Sequence, residues 1–239
     1  MQADVSAGMV GTTLVGRPRL FAGANIQILL ATSVMCSLFF FLALYLQVVL
    51  DYTAVQAGIG LLPLTVTIVV VGPFAGWLAG RIGPGIPVAL GMLLLAEALF
   101  GLSGLHVNST IASLAPWLTL AGVAIGLVTA PTTATAMGST DATGHGSAAA
   151  VFSTFQTTGL TVGIAIMGAI LTSFGAGGTF ARTLTAEHHA AFVRGFSTAL
   201  TVNAVIALLA AAVAAVLLHR RPRRTRLTVV PAPDKPRRP

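Results

Sequence analysis

The amino-acid sequence predicts an all-α integral membrane protein in which six transmembrane helices form one bundle. Only 8% of the 239 residues are charged and 55% are hydrophobic, whereas soluble domains carry about 25% charged residues. The mean hydropathy is +0.90. Charge-free runs long enough to cross a bilayer, which takes about 20 apolar residues, account for most of the chain. Together these observations exclude a soluble globular domain and an intrinsically disordered chain.

The charge-free runs place the spans in chain order once the longest run is divided at the polar cluster Gly104–Thr110, which is typical of a loop. We expect the six helices at Asn25–Val49, Val55–Ala79, Gly85–Leu105, Leu114–Met137, Ser147–Phe174 and Phe196–Leu218. The bundle then occupies residues 20–219. A cytoplasmic segment precedes it at residues 1–19, and a basic tail that we expect to be disordered follows at 220–239. A short interfacial helix is predicted at Thr183–Val193.

The positions of Lys and Arg predict the orientation of the bundle. Eleven of the 13 cationic residues fall on the side of the two termini, namely Arg17, Arg19, Arg81 and eight residues after Leu218. Cytoplasmic loops carry an excess of Lys and Arg, so both termini are predicted to face the cytoplasm at the cell membrane. A basic tail directly after an apolar helix favours anionic lipid over nucleic acid as its partner.

Residues that build catalytic or metal centres are sparse. Cys36 is the single cysteine, which excludes an intramolecular disulfide and a cysteine-rich metal site. Glu187, His188 and His189 lie together in the outer loop, but adjacent histidines do not share a helix face. The sequence contains no Ser-His-Asp arrangement, phosphate loop or paired carboxylates. We therefore predict no enzyme activity, no metal and no cofactor.

Glycine and proline recur inside the spans. Small residues let transmembrane helices approach closely, and intramembrane prolines kink helices. An inert, tightly packed bundle would explain the glycines equally well, whereas several kinks together favour a protein that moves. The residues expected to determine helix packing are Gly72, Pro73, Pro131, Gly159 and Gly163.

Five short motifs follow one another along the chain. They are Tyr45–Gln47 (YLQ), Gln56–Gly58 (QAG) with Leu62-Pro63, Gly76–Gly83 (GWLAGRIG), Gly126–Pro131 (GLVTAP) and Phe155–Gly163 (FQTTGLTVG). From about Arg17 to Leu218 the chain resembles the carboxyl-terminal six-helix half of a major facilitator superfamily transporter, specifically of the fourteen-helix drug:proton antiporter family. The resemblance implies one half of a major-facilitator-type bundle, with efflux of small amphipathic compounds coupled to protons.

The motif at Gly76, Arg81 and Gly83 resembles the cytoplasmic loop signature of this superfamily, with two departures. Gly80 stands where an acidic residue normally precedes the arginine, and Pro84 and Gly85 replace a basic pair. Without that carboxylate, we expect Arg81 to contact the carbonyl groups at the end of its helix. The resemblance also implies that substrate binds between two halves, so a missing N-terminal half or a second copy is the expected partner.

Five residues are candidates for function. Glu97 is the carboxylate inside a span, and an ionisable residue in hydrocarbon is a functional hypothesis by default; it is the candidate for proton coupling. The resemblance makes its helix peripheral, which favours a neutral or hydrogen-bonded Glu97 without that role. The first and fifth spans are expected to line the substrate cavity, with Tyr45, Gln47, Gln156 and Thr157 as candidates; interhelical hydrogen bonding is the alternative.

Two alternatives to an active transporter remain. The chain is half the length that the family architecture requires, so it is either a truncated half-transporter without independent transport activity or a structural or assembly bundle of the same architecture.

Overall fold

The computed structural model describes residues 18–104, 111–138, 145–173 and 186–217, and the elements in these ranges are α-helices. The helices are α1 (Pro18–Val48), α2 (Ala54–Gly60), α3 (Leu62–Ile82), α4 (Gly85–Ser103), α5 (Ile111–Gly138), α6 (His145–Ser173) and α7 (Ala186–Leu217). All except α2 are long and apolar enough to cross a membrane. The prediction of an all-α bundle with six spans is therefore confirmed.

The second span is divided, unlike the single helix predicted at Val55–Ala79. Thr53 begins α2 with a capping box, in which its hydroxyl accepts a hydrogen bond from the Gln56 N–H and the Gln56 side chain accepts one from the Thr53 N–H. Leu61 then ends α2 and precedes α3. Pro63 lies in the first turn of α3, where its missing N–H interrupts the hydrogen-bond ladder between the two helices.

Helices α1 and α7 begin far earlier than predicted, whereas α5 and α6 begin only three and two residues early. Helix α1 starts at Pro18 rather than Asn25, and proline is favoured at a first helical position because its N–H would be unpaired there anyway. Helix α7 starts at Ala186, so most of the interfacial helix predicted at Thr183–Val193 is continuous with the last span and not a separate element. The N-terminal segment 1–17, the outer-loop residue Arg182 and the tail from residue 218 lie outside the described residues.

The bundle is built mainly from three helix pairs, α1 with α6, α3 with α5 and α4 with α7, joined by contacts of α4 with α5 and of α1 with α7. Its core contains large apolar side chains of α1, α4 and α5, and alanines of α7. Helices α3 and α6 have the smallest share of buried residues. These two helices therefore present the largest free faces of the bundle.

Glycines set the close approach within the pairs. A Cβ added to Gly159 or Gly163 of α6 would collide with the backbone of α1. In the pair α3–α5, a Cβ on Gly122 would lie 2.5 Å from the Leu64 carbonyl oxygen, and one on Gly126 would lie 2.9 Å from the Val71 Cβ. Lipid gives helices no hydrophobic reason to associate, so these close backbone contacts stabilise the helix pairs by van der Waals packing.

Candidate functional site

Helix α6 has two different faces. Its glycine face, at Gly159 and Gly163, is buried against α1. On the opposite side, Thr154, Thr157 and Thr161 share an exposed face, as their spacing of three and four residues requires. Each of these threonine hydroxyls donates a hydrogen bond to the carbonyl four residues earlier, at 2.9 Å, 2.9 Å and 3.1 Å respectively. The exposed side of α6 is thus polar but not charged.

Gln156 lies beside the glycine face of α6, three residues before Gly159, and it contacts α1. Its backbone carbonyl accepts a hydrogen bond from the Thr32 hydroxyl at 3.1 Å, while its own amide side chain is exposed. Thr32 also donates to the Ile28 carbonyl at 2.7 Å. The structure therefore fixes the backbone of Gln156 against α1 and leaves its amide group available at the surface of the bundle.

The two candidates on α1 occupy different environments. Tyr45 is fully buried, and its ring stacks on Phe196 of α7 with 5.2 Å between the ring centroids and 14° between the planes. Gln47 is exposed near the end of α1, where its amide nitrogen donates to the Ala43 carbonyl at 3.2 Å. Of the cavity candidates, Tyr45 lies inside the bundle, whereas Gln47, Gln156 and Thr157 lie on its surface.

Glu97 is exposed on α4. Leu93 and Phe100, which lie four residues before and three after it on the same helix face, are exposed as well. Helix α4 packs mainly against α5 and α7, whereas α6 packs mainly against α1. The carboxylate and the polar face of α6 therefore belong to helices with different packing partners.

The loop motif ends α3 with a cation–π contact. The guanidinium carbon of Arg81 lies 4.1 Å from the centroid of the Trp77 ring, so its partner is this ring rather than the expected helix carbonyls. The two residues are four apart and share a helix face. Gly83 follows with φ 94°, and its N–H donates to the Ala79 carbonyl at 3.0 Å. Only glycine adopts this backbone conformation without strain, which accounts for Gly83 at the end of the loop motif.

Of the remaining packing candidates, Pro131 on α5 is buried, whereas Gly72 and Pro73 on α3 are not. Pro131 is buried in α5, and its carbonyl accepts a hydrogen bond from the Thr135 hydroxyl at 2.7 Å. Pro73 is exposed within α3. At Gly72 and Gly76 an added Cβ would meet no atom within 4 Å. A side chain at either glycine would therefore enter open space, although the Gly72 backbone nitrogen lies 3.4 Å from the Cβ position of Gly126 on α5.

A buried polar junction between three helices involves residues that were not predicted. The Asn203 side chain of α7 donates to the Ser37 hydroxyl of α1 at 2.8 Å and contacts the Met167 sulfur of α6 at 3.3 Å. The single asparagine of the last span is the signal that could have identified this junction. In the described ranges, no group of three or more His, Cys, Asp or Glu could hold a metal ion.

Comparison with known proteins relates this architecture to membrane transporters. The family model described as the Major Facilitator Superfamily matches residues 4–164. The chain is 30% identical over 233 residues to the "Tetracenomycin C resistance and export protein" of Streptomyces glaucescens, covering 82% of this chain and 43% of that protein. It is also 30% identical over 152 residues to the "Multidrug resistance protein Stp" of Mycobacterium tuberculosis, covering 61% of this chain and 28% of that protein.

A third relative, the "Uncharacterized transporter YebQ" of Escherichia coli, is 30% identical over 145 residues, which are 61% of this chain and 32% of that protein. The chain thus spans less than half the length of the curated relatives it matches. The family match extends across the first four spans and into the fifth, including the loop motif at the end of α3. From the six-span helical bundle and this match, the chain belongs to the major facilitator superfamily of membrane transporters.

Proposed function

We propose that the chain forms one half of a proton-coupled exporter of small amphipathic compounds at the cell membrane, with both termini in the cytoplasm. The observation that carries this proposal is the set of exposed polar groups on α6, which are the threonine face that includes Thr157 and the amide of Gln156 beside the glycine face. The names of two relatives, which refer to resistance and to export, support the same class of substrate.

The exposed amide and hydroxyl groups of α6 are suited to a cavity wall rather than to lipid. An amide in hydrocarbon that lacks a partner costs several kcal/mol, and the Gln156 amide is exposed on a helix that spans the membrane. Ligand sites combine an apolar lining with a few polar groups that orient the ligand. The neutral amide and hydroxyl groups of α6, flanked by exposed Leu160 and Val162, match this composition.

A cavity at this face needs a second wall. Superfamily carriers bind substrate between two repeats, and this chain supplies six spans. We propose that an N-terminal half, or failing that a second copy, covers the free faces of α3 and α6. The chain alone is then a half-transporter without independent activity, which is our second candidate function.

Proton coupling enters the proposal from the family resemblance. Glu97 is the one carboxylate in the part of the spans that the structure describes. Its exposed position on α4, away from α6, favours a role outside substrate coupling. We expect Glu97→Gln to leave export by an assembled carrier unchanged.

The first experiment measures export by the 239-residue chain alone, in a host without its own exporters and with a fluorescent cationic dye. We expect the chain to insert but not to extrude the dye. Extrusion that depends on the proton gradient and is abolished by Glu97→Gln would contradict both the half-transporter proposal and the role assigned to Glu97.

The second experiment combines the chain with the remaining helices of a full-length exporter. The chain replaces the segment that it matches in the Streptomyces glaucescens exporter, and resistance to tetracenomycin C is measured. We expect the chimera to export. Gln156→Leu or Thr157→Val should raise the substrate concentration for half-maximal export about fivefold, which is equivalent to the loss of one hydrogen bond of about 1 kcal/mol.

Thr201→Val is the matched control, because Thr201 of α7 is exposed and its hydroxyl makes the same type of hydrogen bond, to the Ser197 carbonyl at 3.0 Å. Equal effects of Thr157→Val and Thr201→Val would refute the assignment of α6 to the cavity. A chimera that inserts but does not export at all would refute the proposal that this chain is a functional half.

A further inference from the structure

Gln27 of α1 is a fully buried amide whose polar atoms lack partners. Its side chain is 0% exposed, and neither its Oε1 nor its Nε2 has a hydrogen-bond partner in the part of the chain that the structure describes. Asn203, another buried amide, has two contacts for its nitrogen. A buried amide that pairs with nothing costs several kcal/mol in an apolar interior, so Gln27 requires a ligand other than the protein groups that the structure describes.

The position of Gln27 along α1 shows which part of the bundle surrounds it. Leu38 and Tyr45 lie 11 and 18 residues further on, which is about three and five turns of helix, so they share its face. Tyr45 stacks on Phe196, and Ser37 pairs with Asn203. Residue numbers thus rise along α7 as they fall along α1, and the two helices run antiparallel.

This pairing places Gln27 level with the last part of α7. At 1.5 Å per residue, Gln27 lies about 15 Å along α1 from Ser37, and the same length of α7 beyond Asn203 ends near Ala214. That stretch presents small buried side chains, at Ala207, Ala210, Ala211 and Ala214. Methyl groups neither donate nor accept hydrogen bonds, and they occupy little of the space beside a long amide.

The chemistry of a glutamine amide restricts the ligand. The NH₂ group needs an acceptor and the carbonyl oxygen needs a donor. A metal cation would pair only with the oxygen, and an anion would pair only with the nitrogen. Water donates and accepts, makes about three hydrogen bonds when buried, and is small enough for a site without an opening. We propose that the Gln27 amide binds an ordered water molecule inside the bundle, between α1 and α7.

Asn25 supplies a second, independent indication of hydration in this part of α1. Its amide nitrogen donates to the Phe21 carbonyl at 2.8 Å, but its buried Oδ1 has no partner among the described residues. Because residues two apart point to different sides of a helix, the water proposed at Gln27 does not serve this oxygen, and the proposal extends to a second water at Asn25. The proposal does not depend on the export function.

The test is an NMR measurement of magnetisation transfer from water to side-chain NH₂ groups, on the full chain in lipid nanodiscs. Labelling Gln and Asn with ¹⁵N gives five glutamine and three asparagine side chains. We expect the Gln27 NH₂ to receive magnetisation from a bound water and to exchange with D₂O roughly tenfold faster than the Asn203 NH₂, equivalent to about 1.4 kcal/mol of opening free energy.

Asn203 is the matched control, because it is equally buried and its nitrogen is bonded to Ser37 and Met167. Gln27→Met assigns the resonance. If that variant does not fold, substitution of the other four glutamines to asparagine, one at a time, assigns it by elimination. A Gln27 NH₂ that receives no transfer from water and exchanges as slowly as that of Asn203 would overturn the proposal.

Discussion

Replacing Gly163 with alanine should weaken the contact between α1 and α6. The added Cβ would overlap the backbone of Ser33, lying 2.6 Å from its carbonyl carbon and 2.7 Å from its Cα. Ordinary contact needs about 3.5 Å, so the helices must separate by about 1 Å, because a backbone cannot turn aside as a side chain does. Overpacking of this kind costs about 1–3 kcal/mol.

Alanine also has a higher helix propensity than glycine, which returns up to about 1 kcal/mol. The net loss should be about 1–2 kcal/mol, or about 5–30-fold in the folding equilibrium. Gly168→Ala is the control on the same helix, because a Cβ there meets no atom within 4 Å, and it should be neutral or stabilising.

The measurement is reversible unfolding of the purified protein in mixed micelles, as a titration with dodecyl sulfate followed by circular dichroism. We expect a lower midpoint for Gly163→Ala and an unchanged or higher midpoint for Gly168→Ala. Identical midpoints for the two variants would show that the close approach of α1 and α6 does not determine stability, and the reasoning from glycine contacts would fail.

Three other predictions follow from α3 and from the charge distribution. A double-mutant cycle with Trp77→Ala and Arg81→Ala should give a coupling of about 0.5–1 kcal/mol, typical of an exposed cation–π pair; additive effects would show that the contact contributes nothing. Gly83→Ala should destabilise the protein by about 1 kcal/mol or more because φ is 94°, whereas Gly80→Ala, with open space around its Cβ, should not, and unfolding titrations compare the two. Reporter fusions after Leu218 and within residues 179–194 should give opposite signals, since the cations favour cytoplasmic termini; equal signals would refute the predicted topology.

The number and the approximate positions of the spans could be predicted because the bilayer imposes a length on each apolar run. The division of the second span at Leu61 was missed, although Pro63 is visible in the sequence. A charge-free run counts a proline as one more uncharged residue, and it does not register the lost N–H.

The sequence does not show which helices pair. In water an amphipathic pattern marks the buried face of a helix, but lipid-facing and protein-facing sides are both apolar here. Gly159 and Gly163 indicate a close contact without naming α1 as its partner. Tyr45 illustrates the same limit, since its hydroxyl suggests a cavity residue, whereas the structure stacks its ring on Phe196 inside the bundle.

The pairing of α1 with α6 has a consequence for biosynthesis. Thr32 and Gln156, which join the two helices, are 124 residues apart, so at about 5–20 residues per second the ribosome needs roughly 6–25 s to supply the partner. During that interval α1 resides in the membrane without α6, the helix against which it packs most. Its hydroxyl groups have partners before α6 is made, because Thr32 and Ser37 donate to carbonyls of their own helix at 2.7 Å each. The Gln27 amide has no such internal bond. It therefore needs water or another protein as a partner during this interval.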